Sequence, residues 1–242
     1  ESLCHPHVCQ LVTSFSSGVY VYAAMEFCNG GDLCDGITAR GEDGFSLREL
    51  QEYTAQLLSA VAYMHDRRIT HRDVKPENVL LEASCGELEW SLKLGDFGFA
   101  AACPRGGSLQ GHGTVLYMSP EQLVGYCNEA CDVWACGCVF YELLTAGHSL
   151  IPEDCSADTD DAFAFVRSER LDERLAVVVN MFGEDFEAVE ILCAMVALEW
   201  RDRCTAVEAL GSGYFAGTSC VDRTRVMTCL LYTSPSPRDY TR

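Results

Sequence analysis

The stretch "HRDVKPENVLL", residues 71–81, decides the fold of this 242-residue chain. Its first half is polar and places Lys75 two residues, and Asn78 five residues, after Asp73. Its second half is an apolar run that is typical of a buried strand. A carboxylate, an ammonium group and an amide at this spacing, directly before a strand, indicate a catalytic loop.

Further motifs follow this loop in a fixed order. "DFG" (96–98) ends a predicted strand, "GTVLYMSPE" (113–121) comes next, and "DVW" (132–134) opens an apolar helix. Such a set of spaced motifs is highly specific, and with it the chain resembles the eukaryotic serine/threonine protein kinases over roughly residues 5–215. "GDFGFA" (95–100) and the predicted helix "CDVWACGCVFYELL" (131–144) also resemble the calcium/calmodulin-dependent kinase group.

This resemblance implies the chemistry of the loop. Asp73 would accept or orient the proton of the substrate hydroxyl, and Lys75 would meet the transferring phosphate. Asn78 and Asp96 offer the hard oxygen ligands that suit Mg²⁺. The implied cofactors are therefore ATP and Mg²⁺.

The segment "AAMEFCNGGDL" (23–33) resembles the hinge that binds the nucleotide in this family. The resemblance implies that Met25 is the gatekeeper residue and that the carbonyl of Glu26 and the N–H of Cys28 hydrogen-bond to adenine. It also implies that Asp32 binds the ribose and that Leu80 lies below the adenine ring. Met25 and Leu80 are also expected to pack in the core.

The resemblance also assigns residues that face the protein substrate. Thr114 would tie the peptide-binding segment to Asp73, and Glu77 would meet an arginine of a basic substrate. Arg72 would pair with a phosphate on the activation loop, although Gln110 stands where the phosphorylated residue is usual.

Three charged residues match structural positions of the family. Glu121 would pair with Arg203, and Asp132 would hold the backbone of the catalytic loop. His71 matches a member of an apolar column and is expected to pack rather than act as a base.

Composition limits the possible partners and the compartment. The formal net charge of −19 repels nucleic acid and anionic membranes and attracts basic peptides, so a protein or peptide substrate is expected. Fifteen cysteines without a secretory signal indicate reduced, mostly buried thiols in a reducing, cytoplasmic compartment. The oligomeric state does not follow from the sequence.

The order of elements predicts an α+β, protein-kinase-like fold, in which a mostly helical C-lobe follows the last strands of the N-lobe. A strand hairpin is expected before residue 27, and a helix with a capping box begins at Ser46. Later helices are expected at 131–144, 160–171, 186–199 and 205–210, with a solvated acidic loop at 152–161. The predicted domains are an N-lobe remnant (1–27), a C-lobe (28–217) and a tail (218–242).

Both ends of the sequence raise questions. The Gly-rich loop, strand lysine and helix glutamate of a full kinase domain are expected before Glu1, and no initiator Met is present. Of the two lysines, Lys75 belongs to the loop and Lys93 is expected to be exposed and structural. Residues 229–239 resemble translated sequencing adapter, so 229–242 is excluded from the fold prediction.

Three functional hypotheses remain at this point. The first is a fragment of an active kinase, which by itself would transfer phosphate poorly. The second is a pseudokinase that acts as a non-catalytic interaction module, and the third is a phosphotransferase for small molecules. Intact Asp73, Asn78 and Asp96 favour the first, and "GTVLYMSPE" argues against the third.

Overall fold

A computed structural model of the chain describes residues 3–83, 88–103, 109–156, 158–183 and 187–221. The tail that was interpreted as adapter-derived lies outside these ranges. Within them, no helix combines the length and apolar character needed to cross a membrane.

Strands and helices are distributed along the chain as an α+β protein requires, which confirms the predicted class. The strands are β1 (Leu11–Ser17), β2 (Tyr20–Met25), β3 (Ile69–Thr70), β4 (Val79–Ala83), β5 (Trp90–Leu94), β6 (Ala101–Ala102), β7 (Leu109–Gln110) and β8 (Tyr126–Cys127). The helices are α1 (Leu33–Arg40), α2 (Leu47–Asp66), α3 (Pro120–Leu123), α4 (Glu129–Leu144), α5 (Thr159–Val166), α6 (Glu169–Phe182), α7 (Glu187–Met195) and α8 (Ala206–Leu210).

The strands of the described ranges pair in antiparallel twos: β1 with β2, β3 with β6, β4 with β5, and β7 with β8. The β1–β2 pair is the predicted hairpin, with Leu11 opposite Met25 and Ser17 opposite Tyr20. Every residue of both strands is exposed. The β4–β5 pair, in contrast, is largely buried and directly follows the catalytic loop.

Helix α2 begins where the sequence predicts. The Ser46 side chain accepts a hydrogen bond from the Glu49 N–H, and the Glu49 carboxylate accepts one from the Ser46 N–H at 2.9 Å. The helical spacing of Leu47, Leu50, Leu57, Val61 and Met64 predicts one buried stripe. The last four are buried, but Leu47 is 53% exposed, so its predicted burial is wrong. Helical side chains point toward the N-terminus, so a side chain at the first position projects beyond the packed length of the helix.

Helix α4 forms the centre of the core. Apolar side chains predominate on all its sides, and a helix of that kind must be surrounded by protein. Residues 131–144 are all buried, among them Trp134 and Phe140 with no exposed surface, and α4 packs against α2 and α7. The Asn128 side chain caps its N-terminus by accepting from the Ala130 N–H at 2.8 Å, and this end lies beside the catalytic loop.

One predicted helix is in fact two. The stretch 160–171 divides into α5 and α6, because Ser168 ends one helix and begins the next. Its hydroxyl donates to the Phe165 carbonyl at 2.7 Å and accepts from the Arg170 N–H at 3.3 Å. A serine that satisfies both ends favours a break.

Two further segments differ from prediction. Helix α1 was not expected after the Gly-Gly pair, but Asp32 caps it by accepting from the Asp35 N–H at 2.9 Å. The acidic segment 152–161 is not wholly solvated, because it contains a single 3₁₀ turn, Glu153–Cys155, whose Cys155 is 6% exposed.

Candidate active site

Three side chains meet at the carboxylate of Asp73. Its Oδ1 accepts hydrogen bonds from the N–H and hydroxyl of Thr114, at 2.8 and 2.9 Å. Its Oδ2 lies 3.1 Å from Nδ2 of Asn78 and 3.3 Å from Nζ of Lys75. Lys75 also donates to the Thr114 hydroxyl at 2.7 Å, so the loop and the segment around residue 114 are joined through charged groups.

The loop reaches this shape through local bonds. Pro76–Asn78 forms a 3₁₀ turn, and Asn78 Nδ2 donates to the Asp73 carbonyl at 2.8 Å. Gly113 makes the approach of the 113–121 segment possible, because its φ is 138° and a Cβ there would clash with the Arg72 carbonyl. Any other residue at position 113 would push Thr114 away from Asp73.

Asp132, in the first turn of α4, holds the start of the catalytic loop. Its carboxylate is 1% exposed and accepts from the backbone N–H groups of His71 and Arg72, both at 2.8 Å, and from His65 Nε2 at 2.8 Å. Burial acts to raise the pKa of Asp132, but the hydrogen bond and charge of His65 hold it below its usual value. The loop backbone is therefore fixed by a buried carboxylate.

His71 is fully buried and has both ring nitrogens engaged. Nε2 lies 2.8 Å from the Gly95 carbonyl, which can only accept, and Nδ1 lies 3.3 Å from the Asp73 N–H, which can only donate. The ring is therefore the neutral form with its proton on Nε2. It packs edge-on against Phe97, with centroids 5.2 Å apart.

Asn78 and Asp96 lie just beyond one end of the β4–β5 ladder, Asn78 directly before Val79 and Asp96 two residues after Leu94. The Gly95 N–H donates to the Asn78 carbonyl at 2.8 Å, and Asp96 follows in a left-handed conformation with φ 51°. Asp96 is exposed, and its Oδ1 accepts from the Gly98 N–H at 3.1 Å. Among the described residues, no three His, Cys, Asp or Glu side chains cluster as metal ligands.

The predicted nucleotide residues lie close to the same end of this ladder, since Leu80 is only two residues from Asn78. Asp32 pairs with Leu80 in an isolated β-bridge, which brings the predicted ribose ligand beside the predicted adenine floor. Gly30 N–H donates to the Leu81 carbonyl at 2.8 Å and fixes the hinge on β4. Met25 is 47% exposed, so its expected core packing is wrong, because it ends a hairpin with both faces open.

Lys93 was expected to be exposed, and that prediction is wrong. The residue is 9% exposed, and its Nζ lies 2.8 Å from Glu26 Oε2 and 3.4 Å from Glu82 Oε2. Its position directly opposite Leu80 explains the burial, because opposite residues share a face and this face lies under the hinge.

The activation segment contacts the catalytic loop through Arg72 and Gln122. Arg72 Nε donates to the Phe99 carbonyl at 2.6 Å. Gln122 Nε2 donates to the Arg72 carbonyl at 3.0 Å and also to the His112 carbonyl. Ser108, whose hydroxyl the sequence offers for phosphorylation in this segment, lies outside the described residues.

A buried ion pair joins the 113–121 segment to the residues that precede α8. Arg203 Nη1 and Nη2 lie 2.6 and 3.1 Å from the two oxygens of Glu121, and the Arg203 side chain has no exposed surface. The guanidinium also lies 5.1 Å from the Trp134 ring centroid. The pair links residues 82 positions apart.

Sequence reasoning missed one acidic residue beside the loop. Glu142 of α4 is 5% exposed, and burial, together with the charge of Glu77, raises its pKa to about 7. Tyr117 shares a hydrogen bond with it. The signal that could have identified Glu142 in the sequence is its position as a single carboxylate within the otherwise apolar run 133–144.

Comparison with known proteins agrees with this geometry. The family described as Protein kinase domain matches residues 1–215, and the chain belongs to this family. Calcium-dependent protein kinase 5 of Plasmodium berghei is 36% identical over 213 residues, covering 87% of this chain. The predicted resemblance to protein kinases is confirmed.

Two other relatives match the chain over shorter stretches. Maternal embryonic leucine zipper kinase of Danio rerio is 37% identical over 60% of this chain, and CBL-interacting protein kinase 9 of Oryza sativa subsp. japonica is 39% identical over 58%. The chain spans 36%, 21% and 30% of the lengths of the three relatives, in the order named.

Proposed function

We propose that this protein transfers the γ-phosphate of ATP to serine or threonine hydroxyls of protein substrates. The observation that supports this function best is the convergence of Lys75, Asn78 and Thr114 on the Asp73 carboxylate. Those contacts join a phosphate-binding cation, a metal-binding amide and a substrate-side segment at one base. The family membership of the chain supports the same reaction.

In this mechanism Asp73 orients the substrate hydroxyl and accepts its proton. The hydrogen bonds from Thr114 hold Oδ1, and Oδ2 faces the side chains of Asn78 and Lys75. Lys75 lies 3.3 Å from Oδ2 and would contact the phosphate during transfer. Positioning and charge stabilisation supply most of the catalysis in reactions of this type.

The donor set fits a magnesium ion. The side-chain hydrogen bonds that join Asn78 to described residues both use Nδ2, which leaves its amide oxygen for a cation, and Asp96 contributes an exposed carboxylate. Such oxygens suit Mg²⁺, which would neutralise charge on the phosphate oxygens. Adenine would meet the backbone of Glu26 and Cys28, with Asp32 at the ribose and Leu80 below the ring.

The first test removes the charge of the base. In the full-length protein, Asp73→Asn should lower phosphate transfer from labelled ATP to a serine peptide by about 10²-fold or more, because an amide cannot accept the proton. Asp66→Asn, at an exposed aspartate of α2, is the matched control and should transfer at the wild-type rate. Equal rates for wild type and Asp73→Asn would contradict the function and favour a non-catalytic module.

We further propose that the preferred substrates are basic. Glu77 is exposed beside Asp73, and the charges of Glu77 and Glu153 both act on buried Glu142, so these three carboxylates form an acidic cluster next to the loop. An arginine of the substrate would lower the repulsion within this cluster. The net charge of −19 favours the same partners.

The second test compares two peptides that differ by one arginine near the acceptor serine. Glu77→Gln should reduce the preference for the arginine peptide, measured as a ratio of kcat/KM values, by about tenfold, since a charge-assisted contact is lost. Glu190→Gln, at an exposed position of α7, should leave the ratio unchanged. A ratio that does not respond to Glu77→Gln would refute the role of this residue.

A further inference from the structure

Lys93 makes contacts that no step of the mechanism uses. It is one of only two lysines, it is nearly buried, and its Nζ lies within ion-pair distance of Glu26 and Glu82. Burying an ammonium group is unfavourable unless it is paired. A buried cation in this position therefore needs a reason beyond solubility.

Its main partner is Glu26, the hinge residue that directly follows β2. Glu26 Oε2 receives Lys93, while Glu26 Oε1 accepts from the Gln10 N–H at 2.8 Å. The Glu26 N–H donates to the Gln10 carbonyl at 2.9 Å. Three bonds thus hold Glu26 to two separate segments of the chain.

Lys93 and Glu26 each stabilise the charged form of the other. Burial acts to lower the pKa of Lys93, but the hydrogen bond and charge of Glu26 raise it above the usual value. Burial likewise acts to raise the pKa of Glu26, and the hydrogen bond from Lys93 together with that from Gln10 lowers it. Both groups are thus held in their charged forms at neutral pH.

The location of the pair links it to nucleotide binding. Lys93 is directly opposite Leu80 on the β4–β5 ladder, so both side chains lie on the same face, with Glu82 two residues further along β4. Leu80 and the backbone of Glu26 are both proposed to contact adenine. Lys93 therefore braces the hinge on the side where the base would bind.

We propose that Lys93 is a positioning residue for the nucleotide: its ion pair with Glu26 holds the hinge backbone on β5 so that the adenine-binding groups keep their places. This inference rests on the proposed function, since it assumes that adenine binds at the hinge. Lys93 itself touches no substrate.

Calorimetric titration of the full-length protein with MgADP tests this directly. Lys93→Met keeps the length of the side chain and removes the charge, and we expect the Kd for MgADP to rise about tenfold, equivalent to 1.4 kcal/mol. Glu26→Gln should weaken binding similarly. Lys93→Arg should restore the Kd to within about threefold of wild type, because it retains the charge. Arg67→Met, which removes an exposed cation from the end of α2, should bind as the wild type does.

Kinetics separate positioning from general stability. KM for ATP should rise about tenfold in Lys93→Met and Glu26→Gln, while kcat and KM for the peptide change less than about twofold. Unchanged MgADP affinity in Lys93→Met overturns this inference and leaves the proposed function standing. Normal MgADP affinity in Glu26→Gln does the same, and this variant decides the question if Lys93→Met does not fold. A wild-type protein that fails to bind MgADP overturns the proposed function as well.

Discussion

At the scale of single residues, burial changes the chemistry of side chains that look ordinary in the sequence. Glu142 lies inside α4 with Tyr117 as a hydrogen-bond partner and Glu77 as a charged neighbour. Water cannot solvate its carboxylate there, so the protonated form is favoured. The result is a glutamate that titrates near neutral pH.

This titration predicts a pH-dependent stability. The folded-state pKa of Glu142 is raised from 4.5 to about 7, a displacement equivalent to about 3 kcal/mol. The native state thus binds the proton more tightly, so the stabilisation is complete below pH 4.5 and is lost as the pH rises through 7. Glu142→Gln removes this dependence, and between pH 5 and pH 8 its free energy of unfolding should fall by about 2–3 kcal/mol less than that of wild type.

Urea unfolding at the two pH values measures this difference. Glu190→Gln, an exposed substitution of the same type, should follow the wild-type pH dependence. If Glu142→Gln also follows it, Glu142 is not the titrating group.

Residue spacing predicted the catalytic loop but not the burial of the side chains around it. The positions of Asp73, Lys75 and Asn78 relative to one another are fixed by a short turn, so a local pattern is sufficient to place them together. The burial of Lys93 and Glu142 depends instead on which segments cover them, and no local pattern contains that information.

At the scale of elements, the start of α2 is a local feature whose strength can be measured. Ser46→Ala removes the acceptor for the Glu49 N–H, and we expect a loss of about 1 kcal/mol and a Tm lower by about 2–4 °C. Ser156→Ala, at an exposed serine after a 3₁₀ turn, should leave Tm unchanged. Equal Tm values for Ser46→Ala and wild type would mean that the cap does not contribute.

Helix boundaries show where local signals compete. At Ser46 no other sequence signal competes with the capping box, so the sequence predicts the helix start correctly. Between 159 and 182 an apolar pattern runs across Ser168, so periodicity favours one helix while the serine favours two. At Asp32 the preceding glycines hid the cap of α1. In each case the hydrogen bonds of one polar side chain decided the outcome.

At the scale of the whole molecule, the Glu121–Arg203 pair connects the substrate-side segment to the region before α8. Arg203→Leu leaves Glu121 buried without its cation, and a loss of about 3–5 kcal/mol in the free energy of unfolding is expected. Chemical denaturation measures it. The matched substitution Arg201→Leu, at an exposed arginine over Trp200, should cost far less. Similar losses in the two variants would show that the pair does not stabilise the fold.

Contacts between residues this far apart in the sequence were predicted only through family resemblance. Nothing in the composition or periodicity of residues 121 and 203 relates them to each other, because chain topology alone brings them together. The same holds for Thr114 and Asp73, which are 41 residues apart. The motifs identified the family, and the family supplied these long-range pairs.

The open hairpin of β1 and β2 has a consequence for dynamics. A two-stranded ribbon without a covered face is marginally stable in water, so its order depends on where it is attached. The bonds between Gln10 and Glu26 close the base of the ribbon, and the Lys93–Glu26 ion pair and the bond from the Cys9 N–H to the Leu94 carbonyl join that base to β5. The ribbon should therefore open as one local unit, at far lower free energy than the core around α4, and its amide protons should exchange with solvent first.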